Sequence, residues 1–154
     1  VAVYLVRHAH AGSKSNWDGN DAARPLSPKG REQAAGIAEL IARVHIDRVL
    51  SSPATRCIET IDQVALDHGV VVETEPSLAE GADLRQCIDV ILASGSTNLV
   101  MCSHGDLIPL VIRRLRSRGM MSADSALCQK GSVWALEVVD GEVVSGIYHP
   151  PTRS

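Results

Sequence analysis

Phenylalanine is absent from the 154 residues, and two Trp and two Tyr are the only other rings besides six His. A platform for stacking nucleic-acid bases is hard to build from so few aromatics. The formal net charge of −3 also gives no general attraction to a phosphate backbone. No apolar run approaches the ~20 residues that cross a bilayer, so neither nucleic acid nor membrane is an expected partner. The opening residues lack the basic, apolar and small-residue layout of a secretory leader. Cys57, Cys87, Cys102 and Cys128 show no C-x-x-C or C-x-x-H spacing. They read as reduced thiols of a cytoplasmic protein, not as a disulfide frame or zinc site.

What is present is a 45% hydrophobic chain long enough for one domain, 1–154, with a substantial core. Val1 to Val6 form an apolar run rich in β-branched residues, the pattern of a strand buried on both faces. A polar stretch from Ala9 to Pro25 follows, long enough to suggest a functional flap or rim. Ser27-Pro28 gives an N-cap and a Pro at the first helical position. Ala34, Ile37, Ala38, Ile41 and Val44 then recur at helical spacing. Ile46 to Leu50 reads as a second strand, and Ser52-Pro53 as the start of a second helix ending at Gly69.

Val70 to Val72 reads as a third strand. The helix after it turns Leu84, Cys87, Ile88, Ile91 and Leu92 inward. Asn98 to Cys102 is a fourth strand, and Asp106 reads as the cap of a helix carrying Leu107, Leu110, Val111 and Leu115. That helix ends near Gly119, and Arg113, Arg114, Arg116 and Arg118 at its C-terminal end complement the macrodipole. Two strands flanking Asp140-Gly141 signal a hairpin, and Pro150 to Ser154 reads as a loose tail. Strands alternating with helices and closed by a hairpin specify an α/β fold. The expected form is a three-layer α/β/α sandwich, its sheet mainly parallel with a C-terminal antiparallel hairpin.

Two of these strands stop at a histidine, His8 and His104, each followed by a small residue. Ligands of open α/β sheets sit beyond the carboxyl ends of the strands. Arg7 adjoins His8, and Arg56 falls in the first turn of the second helix, where side chains lean toward the N-terminus. A cation there opposes the macrodipole unless an anion sits between it and the free backbone N–H groups. Two Arg and two His converging on one point make a pocket for a phosphoryl group.

Arg7-His8-Ala9 resembles the R-H-G motif of the histidine phosphatase superfamily, which includes the phosphoglycerate mutases. Leu26-Ser27-Pro28-Lys29-Gly30 with Gln33-Ala34 is similar to its L-T-x-x-G-x-x-Q-A segment. Ser51-Ser52-Pro53-Ala54-Thr55-Arg56 with Thr60 resembles S-P-x-x-R-x-x-x-T, and Ser103-His104-Gly105 resembles the second H-G. The departures are Ala9 for Gly and an acidic loop that matches loosely.

The resemblance implies a phosphoglycerate mutase-like fold and assigns roles. His8 is the nucleophile, forming phosphohistidine. Arg7, Arg56 and His104 bind the phosphoryl oxygens, with no cofactor or metal. The general acid is Glu80, with Asp83 and Glu75 as alternatives. His10, Ser13, Lys14 and Trp17 are rim candidates, while His45, His68 and His149 read as structural or solvent-facing.

Phosphoglycerate mutases of the superfamily carry lid insertions for which this chain has no evident room. The compact length resembles SixA-type phosphohistidine phosphatases. The loop Ala9 to Lys14 and the strand start Lys130 to Trp134 are similar to a phosphatase-like domain attached to some Nudix hydrolases. The expected function is hydrolysis of phosphohistidine protein or small phosphomonoesters. A nucleotide-related phosphatase working with a Nudix hydrolase is the second reading. A phosphate-binding module without turnover is the third, and a mutase-type phosphotransferase the last.

Overall fold

The structure, a computed structural model, describes residues 1–151. The tail expected at Pro150 to Ser154 therefore lies largely outside the described residues. Strands β1 (Ala2–Arg7), β2 (Arg48–Ser51), β3 (Val72–Thr74), β4 (Leu99–Ser103), β5 (Val133–Val139) and β6 (Glu142–His149) form one sheet. Its order is β3-β2-β4-β1-β5-β6. The first four strands run parallel, and β5 and β6 add the antiparallel hairpin. Its turn places Asp140 and Gly141 at φ 50° and 75°, the left-handed conformation that Asp-Gly tolerates in a two-residue hairpin.

Alternation along β1 divides the core. Val3 and Leu5 pack with residues of α3 (Leu84–Leu92) and α4 (Ile108–Ser117) on one face of the sheet. Val6 packs with α1 (Pro28–Ile41) and α2 (Thr55–Asp67) on the other. This is the three-layer arrangement read from the sequence. Trp134 is fully buried beneath the α3–α4 layer. Its indole N–H donates to the Leu127 carbonyl at 2.8 Å, so burying the polar edge carries no orphan-donor penalty.

Several local expectations are corrected. Ser27 caps α1 through Gly30 N–H as expected. The second helix, however, starts at Thr55 with Ala54 in the cap position and no side-chain cap, because Ser52 lies three residues upstream of it. Asp106 does not cap α4 either; its carboxylate accepts from Gly81 N–H at 2.8 Å. Leu110 faces solvent while Ile112 is buried: the inward stripe of α4 runs through Leu107, Ile108, Val111, Ile112 and Leu115, and Leu110 falls at its margin. The third strand forms at Val72–Thr74, not Val70–Val72, since Val70 N–H still bonds Ala65 to close α2.

Three parallel strands end level. Arg7 pairs with Ser103, and Ser51 pairs with Cys102. The backbone continues that pairing one residue further: His8 N–H donates to Ser103 and Ser52 N–H to Cys102, both at 3.0 Å. The register thus delivers His8, Ser52 and His104 to one edge of the sheet.

Candidate active site

His8 and His104 emerge from neighbouring strands with ring centroids 5.4 Å apart and planes inclined at 66°. Only 7% of His8 is exposed. Its Nδ1 lies 2.9 Å from the Ala9 carbonyl. A carbonyl only accepts, so Nδ1 carries the hydrogen and the lone pair of the neutral ring sits on Nε2. Burial, then the charges of His104, Arg56 and Arg7, outweigh that hydrogen bond and push His8 down to about 3. The imidazole is therefore neutral near pH 7, as an attacking nitrogen must be.

His104 is oriented from below. Its Nε2 lies 2.8 Å from Ser52 Oγ and 3.5 Å from Cys57 Sγ. Ser52 also receives Ala54 N–H at 3.3 Å, so the entry to α2 and the ring on β4 share one hydroxyl. The next residue, Gly105, leaves room for a cation: a Cβ there would lie 2.5 Å from Arg7 Cζ. Arg7 is held on its other side by the Cys128 carbonyl, 2.6 Å from Nη1. Its buried Nε has no partner among the described residues.

Arg56 is 3% exposed. Its Nη1 donates to the Asp21 carbonyl at 3.0 Å, and Nη2 lies 3.3 Å from the Asp21 carboxylate and 3.8 Å from that of Glu80. Its Nε, like that of Arg7, is buried without a partner. Two orphaned guanidinium N–H groups beside two imidazoles form a donor set suited to an anion with several oxygens. The backbone behind Arg56 is fixed by Thr60, which donates to the Arg56 carbonyl at 2.6 Å and accepts Ala9 N–H at 2.9 Å. The motif residue Thr60 thus ties the second helix to the chain leaving His8.

A cavity of about 180 Å³ opens on the Arg56 and His104 side of this set, lined also by Asp21, Ser52, Ala79 and Glu80, while Arg7 and His8 are not part of its lining. Glu80 is held at its edge by a doubly tied loop. Ser103 Oγ donates to the Leu78 carbonyl at 2.6 Å, and Gly81 N–H donates to Asp106. The Glu80 side chain remains 59% exposed. The alternative acids are occupied elsewhere: Asp83 caps α3 and pairs with Arg85, and Glu75 accepts Ser77 N–H. A larger cavity of about 400 Å³, bounded by Leu92, Leu115, Arg118, Gly141, Glu142 and Val143, lies between the hairpin turn and the C-terminal ends of α3 and α4. It contains no nucleophile or imidazole.

The rim candidates divide. His10 sits on the chain leaving the site, its Nδ1 2.6 Å from Ser27 Oγ and its N–H donating to Gln33. Its pKa is lowered by burial, then by the charges of Lys130, Lys29 and Arg24, so cations gather on this side. Ser13 bonds Ser15, and the Trp17 indole donates to the Asn20 carbonyl. Both line a separate depression with Arg24, outside the cavity over Arg56. Lys14 opens a 3-10 turn at Lys14–Asn16 and reaches the site only through its charge on Asp21. His45, as expected, is solvent-facing and pairs with Asp47 at 2.7 Å.

Sequence reasoning missed Asp21 and Ser52. Ser52 was visible as a motif residue but reads as a helix cap. Asp21 lies in a polar stretch with no period to single it out.

Comparison with known proteins gives a consistent result. The family model described as histidine phosphatase superfamily (branch 1) matches residues 3–83. The chain is 31% identical over 154 residues to the 8-oxo-(d)GTP phosphatase of Mycolicibacterium smegmatis, covering 97% of this chain and 48% of that protein. An uncharacterized protein of Mycobacterium tuberculosis is 35% identical over 82 residues, covering 53% of this chain and 41% of that one. The chain thus spans about half the length of the curated relatives it matches. Among solved structures, the protein histidine phosphatase SixA complexed with tungstate aligns with a TM-score of 0.78 at 20% identity, covering 97% of this chain and 95% of that one. A mycobacterial glucosyl-3-phosphoglycerate phosphatase aligns at 0.67 with 15% identity, covering 99% of both chains. At such identities the likeness is one of fold, phosphoglycerate mutase-like.

Proposed function

The chain belongs to the histidine phosphatase superfamily, and from that premise we propose that it hydrolyses phosphomonoesters or phosphohistidine through a phosphohistidine on His8, without a metal. The observation that carries this reading is the His8 Nδ1 bond to the Ala9 carbonyl, which leaves Nε2 as a neutral nucleophile beside Arg7, Arg56 and His104. Nε2 attacks phosphorus as the bond to the leaving oxygen or nitrogen breaks. Arg7, Arg56 and an N–H of His104 take the growing charge on the equatorial oxygens, the role positioned cations play in phosphoryl transfer. Glu80 gives the leaving atom its proton. Water then attacks the phosphohistidine and passes its proton to the Glu80 carboxylate as the N–P bond breaks, releasing phosphate and restoring neutral His8 and protonated Glu80.

The open setting of Glu80 supports substrates as large as a phosphorylated protein side chain as well as small esters. The test is turnover of p-nitrophenyl phosphate by the chain and by His8→Ala, with rapid quenching to trap acid-labile phosphate on the protein. Turnover and labelling are expected only with His8 present. Phosphate binding with no turnover in either form would instead favour a binding module. A mutase-type phosphotransferase predicts transfer to an acceptor ester in place of net phosphate release.

A second reading, a nucleotide-related phosphatase acting with a Nudix hydrolase, is favoured by the cations around His10. Lys130, Lys29 and Arg24 could meet a second anionic group, and the matched Mycolicibacterium protein is named for a nucleotide substrate. A panel of phosphohistidine protein, nucleotides and simple esters ranks the two readings by kcat/KM.

A further inference from the structure

Arg56 is the most deeply buried cation of the proposed phosphate cup, yet its guanidinium already carries an anion of the protein's own. The Asp21 carboxylate lies 3.3 Å from Nη2, and the carbonyl of the same residue accepts from Nη1 at 3.0 Å. Asp21 and Arg56 both line the cavity that holds Ser52, Glu80 and His104. Asp21 is ionised at working pH. Burial opposes that state, but the hydrogen bond from Arg24 and the charges of Arg56, Arg24 and Lys14 outweigh it and lower the carboxyl below its ordinary value. It is therefore no proton donor, and its fixed negative charge faces the place where a phosphate would come.

We propose that Asp21 is an affinity-setting residue, an internal stand-in for phosphate that competes for Arg56 and weakens the hold on substrate and product alike. This rests on the reading of Arg56 as a phosphate ligand. Two features make the exchange feasible. Asp21 has a second partner, Arg24 Nε at 3.1 Å, which can keep the carboxylate paired once a phosphate takes Nη2 of Arg56. Arg24 is itself fixed by bonds to the Ala11 and Gly12 carbonyls, so releasing Arg56 leaves the loop anchored. The carbonyl contact to Nη1 also survives, keeping the guanidinium in place while its charge is freed. A site relieved of its product in this way binds phosphate less tightly and turns over faster.

The test is the affinity for inorganic phosphate, measured by calorimetry on the whole chain, for wild type, Asp21→Asn and Asp21→Ala, with thermal melts of each. Asn keeps the shape and an oxygen acceptor but removes the charge. The expected result is about tenfold tighter phosphate binding in Asp21→Asn, the size of a modest coupling between charged sites. Asp21→Ala should bind more tightly than wild type too. In turnover, KM and the phosphate inhibition constant should both fall, with kcat reduced as product release slows. A residue that merely holds Arg56 in position would give the opposite sign, weaker binding in both variants. Weaker or unchanged binding in folded Asp21→Asn overturns the proposal. Because the readout is binding alone, it stands even if His8→Ala were to show that phosphoryl transfer does not pass through His8.

Discussion

Gly105 and Arg7 are in direct van der Waals contact, with the space a Cβ would need on Gly105 taken by the Arg7 guanidinium. The small residue after the second strand-end histidine thus belongs to the cation of the first. Gly105→Ala meets the far end of a flexible side chain, so Arg7 moves and the fold persists. A misplacement of this kind is expected to lower kcat/KM by about 10²-fold with little change in melting temperature. Gly30→Ala makes the contrast: its Cβ would fall 1.9 Å from the His10 carbonyl oxygen, a backbone atom that cannot step aside. Its expected effect is a loss of about 1–3 kcal/mol of stability, read by denaturant titration.

Ser52→Ala removes the hydroxyl that fixes the His104 ring. One hydrogen bond of ordinary strength corresponds to a fall of about tenfold in kcat. The signature is loss of kcat with phosphate affinity largely kept, since Arg7 and Arg56 remain. Equal loss in both quantities would move Ser52 from positioning to general stability.

Glu80→Gln tests the proton donor through the leaving group. Alkyl phosphates, which need protonation to depart, should slow by about 10²-fold or more. Aryl phosphates with acidic leaving groups should change far less. A uniform effect across the series would take Glu80 out of the proton transfer.

His8 gives a pH prediction with a definite sign. Its folded value lies at about 3 against an ordinary 6.5, so below pH 6.5 the unfolded chain binds a proton that the folded chain refuses. Stability contributed by neutral His8 is complete above pH 6.5 and is lost as pH falls toward 3, with a cost on the order of a few kcal/mol. Imidazole NMR shifts should show the His8 ring neutral down to about pH 4. A His8 midpoint near 6.5 would contradict the burial argument.

The layers and the strand-end histidines were legible because both depend on local pattern. Apolar runs halted at Arg7-His8 and Ser103-His104, and Ser27-Pro28 carried its helix start on its face. The side chains with a choice of partner were not legible. Ser52 and Asp106 each read as the cap of a helix, but tertiary contacts supplied their partners, His104 for one and Gly81 N–H for the other. Asp21 sits among Asp18, Gly19 and Asn20, any of which fits a polar loop. Only the folded chain shows which of them meets a guanidinium 35 positions away. Leu110 and Ile112 both border the stripe set by Leu107, Val111 and Leu115, and spacing alone does not say which side of it the sheet covers.

The level ending of β1, β2 and β4 separates two kinds of residue. His8, Ser52 and His104 directly follow the ends of β1, β2 and β4, three paired strands interior to the sheet order, the part of a domain that opens last. Asp21 and Glu80 hang from connecting segments, where substitution and insertion are tolerated. Chemistry and selectivity are thereby stored in different materials, one rigid and shared, the other pliable. A new preference for charge or size can evolve along the connecting segments while the phosphoryl-handling edge stays as it is.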